Sequence, residues 1–236
     1  MGTISTDDTL DIANEDSVVI SKQRVTDHGE VLTGAREVNA MLDLVKQETE
    51  RIESRFLEPA CGNGNFLAEI LERKLRVVES RYGKSQLDYE RNAVLAATSI
   101  YGIDILADNV AACRARLFGI FDRRYTAQFK TAAKPECRAA VEYIFARNIV
   151  YGDALSLKTA DGQAPIVFSE WSPVNGSQIK RRDFTFSGLI PGFLPSPELF
   201  PEPDLFSDLG EDVFIPKPKK DFPLIHFLKV HEHDEH

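Results

Sequence analysis

The pattern of apolar positions along the middle of the chain alternates between two periods. Residues 35–51 place Val38, Met41, Leu42 and Val45 three or four positions apart, which predicts an amphipathic helix. Arg55-Phe56-Leu57-Glu58 is a short apolar run, read as a buried strand. Residues 59–65 (PACGNGN) turn the chain, and a helical stretch follows from 66 to about 79. A helix is predicted over 85–98. Ser99-Ile100-Tyr101-Gly102-Ile103-Asp104 then reads as a second strand ending in an acid. Helical spacing returns over 107–121 and 136–147. Asn148-Ile149-Val150-Tyr151 is a third strand running into Gly152-Asp153, and 165–169 (PIVFS) a fourth. Strands alternating with helices predict a parallel α/β sheet. Segments 184–190 and 223–230 are weaker strand candidates.

In such sheets ligands bind beyond the carboxyl ends of the strands, where the chemistry-bearing residues of this chain fall. After the first strand, Glu58 is followed by Pro59, Ala60, Cys61, Gly62, Asn63, Gly64 and Asn65. Gly62 and Gly64 allow a tight turn and a close backbone approach to a ligand. The helix start beyond them offers free N–H groups suited to a carboxylate, and Glu58 suits an ammonium group. Asp104 ends the second strand, where an acid is placed to accept from ribose hydroxyls. Asp153 ends the third, where it suits an adenine amino group. The bland readings are a structural glycine loop and acids acting as helix N-caps.

Composition changes this picture at the ends of the chain. The 236 residues carry a net charge of −9, which argues at first against a nucleic-acid partner. The charge is unevenly placed: −5 over residues 1–20, −6 over 191–236 and +2 over 21–190. We therefore expect an acidic tail over 1–20, a domain over 21–190, and a second acidic tail over 191–236. That last stretch holds eight of the twelve prolines, which opposes regular helix or sheet. Its final residues carry His226, His231, His233 and His236, read as an exposed tail and not as a metal site. The three cysteines, Cys61, Cys113 and Cys137, lack metal-ligand spacing and fit a reduced, cytoplasmic protein. No window reaches the ~18 apolar residues of a membrane span, and the first residues lack a secretory h-region.

At these motifs the chain resembles a known family. The segment from Phe56 through Glu58-Pro59-Ala60-Cys61-Gly62-Asn63-Gly64-Asn65 to Leu67 is similar to the first motif of adenine-specific DNA methyltransferases of restriction–modification systems. Tyr101-Gly102-Ile103-Asp104-Ile105 resembles their second motif. Asn148-Ile149-Val150-Tyr151-Gly152-Asp153-Ala154-Leu155 resembles the third. His28-Gly29-Glu30-Val31-Leu32-Thr33 resembles the N-terminal cofactor motif, with Leu32 in place of an aromatic residue and Gly34 in place of a proline. The resemblance covers about residues 24–175. It implies a Rossmann-like sheet binding S-adenosylmethionine, with Thr33, Glu58, Pro59, Ala60, Cys61, Gly62, Asn63, Gly64, Asn65, Asp104, Ile105, Asp153 and Ala154 at the cofactor.

One family element is missing. The fourth motif, Asn- or Asp-Pro-Pro-aromatic, holds a flipped adenine against a ring and accepts hydrogen bonds from its amine. No such tetrapeptide occurs in the sequence. At the corresponding place stand Glu170, Trp171, Pro173 and Asn175, with Glu170 or Asn175 a candidate acceptor and Trp171 a candidate platform. The bland reading makes Trp171 a core anchor and Glu170 a surface charge. Lys180, Arg181 and Arg182 form the densest basic cluster, a candidate DNA phosphate contact or simply a solvated face.

Three readings follow. The chain is a DNA methyltransferase that depends on a specificity subunit or a second methyltransferase fragment, or a non-catalytic or truncated cofactor-binding subunit, or a methyltransferase acting on RNA or protein. A near-neutral domain with acidic ends is expected to bind DNA weakly alone, since little counterion release is available.

Overall fold

A computed structural model describes residues 33–190 and 216–235. The expected acidic tail over 1–20 and the motif residues 28–32 lie outside the described residues, as does 191–215.

The elements form where apolar periodicity and end signals coincide. Helix α1 (Ala35–Asp43) buries Val38 and Leu42, and a one-turn helix, α2 (Lys46–Thr49), follows it. Strand β1 (Phe56–Glu58) leads through the glycine loop into α3 (Asn65–Tyr82), which buries Leu67, Leu71, Leu75 and Val78 along one stripe. Helix α4 (Gln86–Thr98) starts at Ser85, whose hydroxyl accepts from the Asp88 N–H. Strand β2 (Ile100–Asp104) is buried throughout. Helix α5 (Ala107–Phe129) runs two turns beyond its expected end, and α6 (Pro135–Asn148) opens on a proline, which lacks only an N–H that the first turn cannot use. Strand β3 (Ile149–Asp153) follows directly.

The first sheet has the order β1-β2-β3-β4. Its first three strands are parallel, and the two-residue β4 (Lys158–Thr159) is antiparallel to β3. Side-chain parity divides this sheet. Ile100 and Ile149 point into the larger core with the helices, whereas Tyr101 and Ile103 point into a smaller cluster with Ile166, Phe168 and Phe186. Two glycines mark the closest approaches. A Cβ on Gly102 would come 3.0 Å from Cys61 Sγ and Leu67 Cδ1, and one on Gly152 would come 2.7 Å from Ile166.

The expected fourth parallel strand is placed differently. Residues 165–169 lead into β5 (Val167–Pro173), which forms an antiparallel hairpin with β6 (Gln178–Thr185) in a second sheet. The reason is local: the Val174 N–H donates to the Gln178 carbonyl and Gly176 takes φ 65°, so the chain reverses at once and no crossover intervenes.

Part of the expected C-terminal tail also belongs to the folded structure. β7 (Lys220–Asp221) and β8 (Ile225–His226) pair with β6, and a 3₁₀ segment, Phe227–Glu235, follows. Phe222, Phe227 and Val230 are buried. Prolines thin the backbone pairing there, but single apolar side chains still anchor the segment.

Hydrogen bonds join the two sheets. The Trp171 indole N–H donates to Asn148 Oδ1 (3.0 Å), and the Asn148 amide donates to the Ile100 carbonyl (3.1 Å). The Tyr101 hydroxyl donates to the Ser169 carbonyl (2.9 Å). Below the first sheet, fully buried Lys74 donates to the carbonyls of Arg51, Ile52 and Ser54 and to the Ser99 hydroxyl. Burial pulls its ammonium down to about 7, and the negative charges of Glu53 and Glu48 oppose that pull. Lys74→Met takes the donor from the Ile52 and Ser54 carbonyls, while the Arg51 carbonyl keeps the Ser54 N–H. The substitution is expected to lower stability by about 3 kcal/mol, read as a fall in the urea midpoint.

Candidate functional site

The loop after β1 is built from two left-handed glycines. Gly62 has φ 52° and Gly64 φ 86°. The Gly64 N–H donates to the Cys61 carbonyl, and the Cys61 N–H donates to the Ile103 carbonyl, which pins the loop to β2. A Cβ on Gly64 would lie 2.6 Å from Cys113 Sγ on α5, so position 64 excludes a side chain by both torsion and space.

Asp104 fastens this loop from the neighbouring strand. It is 8% exposed. The Gly62 N–H donates to its Oδ2 (2.8 Å), and the Leu106 N–H (2.9 Å) and the Asn109 amide (3.3 Å) donate to its Oδ1. A carboxylate has about four lone-pair sites, so three donors leave one acceptor site, on Oδ2. The sequence pattern offers Asp104 as a free acceptor; in the structure it is first a brace for the loop.

The register places Glu58, Asp104 and Asp153 on one face of three adjacent parallel strands. Glu58 is half-buried, and burial raises its carboxyl above the ordinary value while the Ala60 N–H opposes the rise. Among the described residues no cation pairs with it, so a partly desolvated carboxylate stands beside the glycine loop. Asp153 is held below its ordinary value by the Leu155 N–H, donating at 2.9 Å, and by Ser156.

Thr33 joins the same place from the N-terminal side, its carbonyl accepting from the Asn65 amide (2.9 Å). Asn63 and Asn65 both accept from Arg116 through their side-chain oxygens. Pro59 and Ala60 are exposed, Ile105 is 53% exposed, and Ala154 packs at the edge of the smaller cluster. Hydrogen bonds thus join Thr33, residues 61–65 and Asp104, with Glu58 on the same strand ends. Asp153 and Ala154 stand one strand further along.

Sequence reasoning missed three residues of α5. Asn109, Cys113 and Arg116 respectively hold Asp104, fill the space over Gly64 and bond the loop asparagines. Their spacing of four and three is a helix face, so the signal was present. Hydrogen bonding to Cys113 and burial push the Cys61 thiol up, and all three cysteines are buried, which makes them packing groups and poor nucleophiles.

The candidates for target-base and phosphate contact are placed otherwise. Trp171 is 3% exposed within the larger core and is corrected from stacking platform to anchor. Glu170 accepts from Arg55 (2.9 Å) and Arg182 (2.6 Å). Pro173 and Asn175 are exposed at the hairpin turn. The basic cluster is corrected as well, because strand alternation splits it. Lys180 pairs with Asp221 and Arg182 with Glu170. Arg181 is buried, paired with Asp183 and set 4.0 Å from the centre of the Phe222 ring. Among the described residues, no group of histidine, cysteine and acidic side chains fits a metal ion, and no helix is long and apolar enough to cross a membrane.

Comparisons with protein-family models, curated proteins and solved structures find no match for the chain.

Two outcomes test the site's construction. Gly64→Ala is expected to cost about 2–4 kcal/mol, part from the torsion and part from Cys113. Adding Cys113→Ala should return the steric part alone, as measured in a double-mutant cycle. Burial raises the Glu58 carboxyl, so the fold holds its proton more tightly than the unfolded chain does. The stability Glu58 contributes is therefore present below its ordinary carboxyl range and lost as pH rises through its folded value. Glu58→Gln should melt above the parent protein at pH 7 and level with it below about pH 4.

Proposed function

We propose that the chain is the S-adenosylmethionine-binding component of an adenine-specific DNA methyltransferase of a restriction–modification system, with target handling supplied by a partner polypeptide. The observation that carries this reading is Glu58. A partly desolvated carboxylate with no cationic partner among the described residues, beside a left-handed glycine loop, suits the ammonium of an amino-acid ligand. The ordered likeness of three successive strand ends to the family's cofactor motifs supports it.

In this reading each residue has a stated task. Glu58 meets the ammonium group and Thr33 the carboxylate. Asp104, whose Oδ2 keeps one acceptor site, takes a ribose hydroxyl while still bracing Gly62. Asp153 accepts from the adenine amine, and Ile105, exposed beside Asp104, offers apolar contact to the ring. The loop backbone approaches closely because Gly62 and Gly64 carry no Cβ. Bound S-adenosylmethionine supplies an electrophilic methyl on a sulfonium, which leaves positioning as the main task of the protein.

Dependence on a partner rests on a separate observation. The segment that replaces the fourth motif is committed elsewhere, with Trp171 in the core and Glu170 between two arginines. No Asn- or Asp-Pro-Pro-aromatic sequence occurs anywhere in the chain. This favours a cofactor-binding component over a self-sufficient enzyme.

Calorimetry with S-adenosylmethionine is expected to show binding that Asp104→Asn weakens at least tenfold, the loss of about one charged hydrogen bond. Circular dichroism on the variant confirms that it folds. Absence of binding by the folded parent, or unchanged binding by the variant, overturns the cofactor assignment. With a labelled methyl group, the chain alone is expected to leave duplex DNA unmodified. Transfer to DNA by the chain alone overturns the partner requirement, and transfer to RNA or protein overturns the choice of DNA.

A further inference from the structure

A cleft of about 460 Å³ lies away from the strand ends, where the outer side of β1 meets the β5–β6 hairpin. Leu57, Tyr101, Phe168, Phe184 and Phe186 line it. Three observations bear on what fills it. First, β1 is an edge strand among the described residues. The Phe56 N–H donates to the Ser99 carbonyl, so Phe56 and Glu58 use the ladder to β2 and the Leu57 peptide groups turn outward. The Leu57 side chain is 43% exposed, and proteins commonly cover such an edge. Second, the rim is positive. Glu170 sits between Arg55 and Arg182, two cations against one anion. Third, Ile190 and Pro216, the residues on either side of 191–215, both line the cleft.

The sequence between them has the matching chemistry. Residues 191–215 include four phenylalanines and four leucines, six acids and no lysine or arginine. We infer that residues 191–215 dock in this cleft, so that the chain covers its own edge strand. A tether at both ends gives the segment a high effective concentration over the cleft that a separate polypeptide lacks. Its apolar side chains leave water against Leu57 and Leu189, the exposed apolar groups of the lining, and its acids meet Arg55 and Arg182. Five prolines oppose its joining β1 as a regular ladder strand, so side chains carry the contact. The inference stands whether or not the chain binds S-adenosylmethionine.

Thiol alkylation of the full chain tests it, because the three native cysteines are buried. Leu57→Cys is compared with Leu155→Cys, a position that is 94% exposed and remote from the cleft lining. The first thiol is expected to react at least tenfold more slowly. A difference within the twofold that local exposure accounts for overturns the proposal. In a second arm, residues 191–215 are replaced by a Gly/Ser linker of equal length. The variant should bind an apolar dye more strongly and capture a synthetic 191–215 peptide, with weaker capture after Arg182→Ala. A folded variant that captures no peptide overturns the proposal. So does a slow Leu57→Cys reaction that speeds up on dilution, which would assign the cover to a second copy of the chain.

Discussion

A single buried carboxylate holds the candidate site in shape. Asp104 ends the central strand, takes the Gly62 N–H on one oxygen and takes Leu106 and Asn109 on the other. The loop that it fastens has two residues in left-handed conformations, which by itself is an unfavourable arrangement for a chain to keep. The brace fixes where α3 begins and where α5 leaves β2. Helix α5 then presses Cys113 over Gly64 and brings Arg116 to the loop asparagines. Strand end, loop and two helix starts are therefore one unit.

The second sheet depends on a different set of buried polar contacts. Asn148 bridges the start of β2 and the Trp171 indole, while Tyr101 reaches the β5 backbone. Arg181 is satisfied by Asp183, Ser169 and Tyr143 and lies among aromatic rings. Buried polar groups of this kind cost free energy unless every partner is in place. They set how the hairpin sits against the parallel sheet. They also explain why residues with the composition of a nucleic-acid contact serve the interior: an arginine between alternating strand positions is carried inside when an acid two residues on neutralises it.

Much of the fold was legible because it is local. Helices α3 to α6 and the acid-ended strands β2 and β3 follow from the spacing of apolar residues a few positions apart. The clustering of the cofactor-motif residues at adjacent strand ends follows from strand–turn–helix order. What was not legible is non-local. Strand β4 has two residues and no periodicity. Residues 165–169 read equally well as a parallel or an antiparallel strand, and the turn at 174–177 decided between them. Phe222, Phe227 and Val230 sit in proline-rich sequence, and only the surface that they cover shows that they belong to the core.

The sequence by itself determined the order of β1 to β3 and the helices between them, the glycine loop, the three acids that end these strands and the absence of an Asn/Asp-Pro-Pro-aromatic motif. These are properties of neighbours along the chain, where backbone torsion and side-chain period act directly. The tertiary structure alone decided that Asp104 braces the glycine loop, that Glu58 has no cationic partner among the described residues, that Trp171 and Arg181 are interior, and that β1 is an edge strand among the described residues beside an apolar cleft. Each of these depends on which distant residue supplies a donor, a charge or a covering surface, and spacing along the chain carries no record of that.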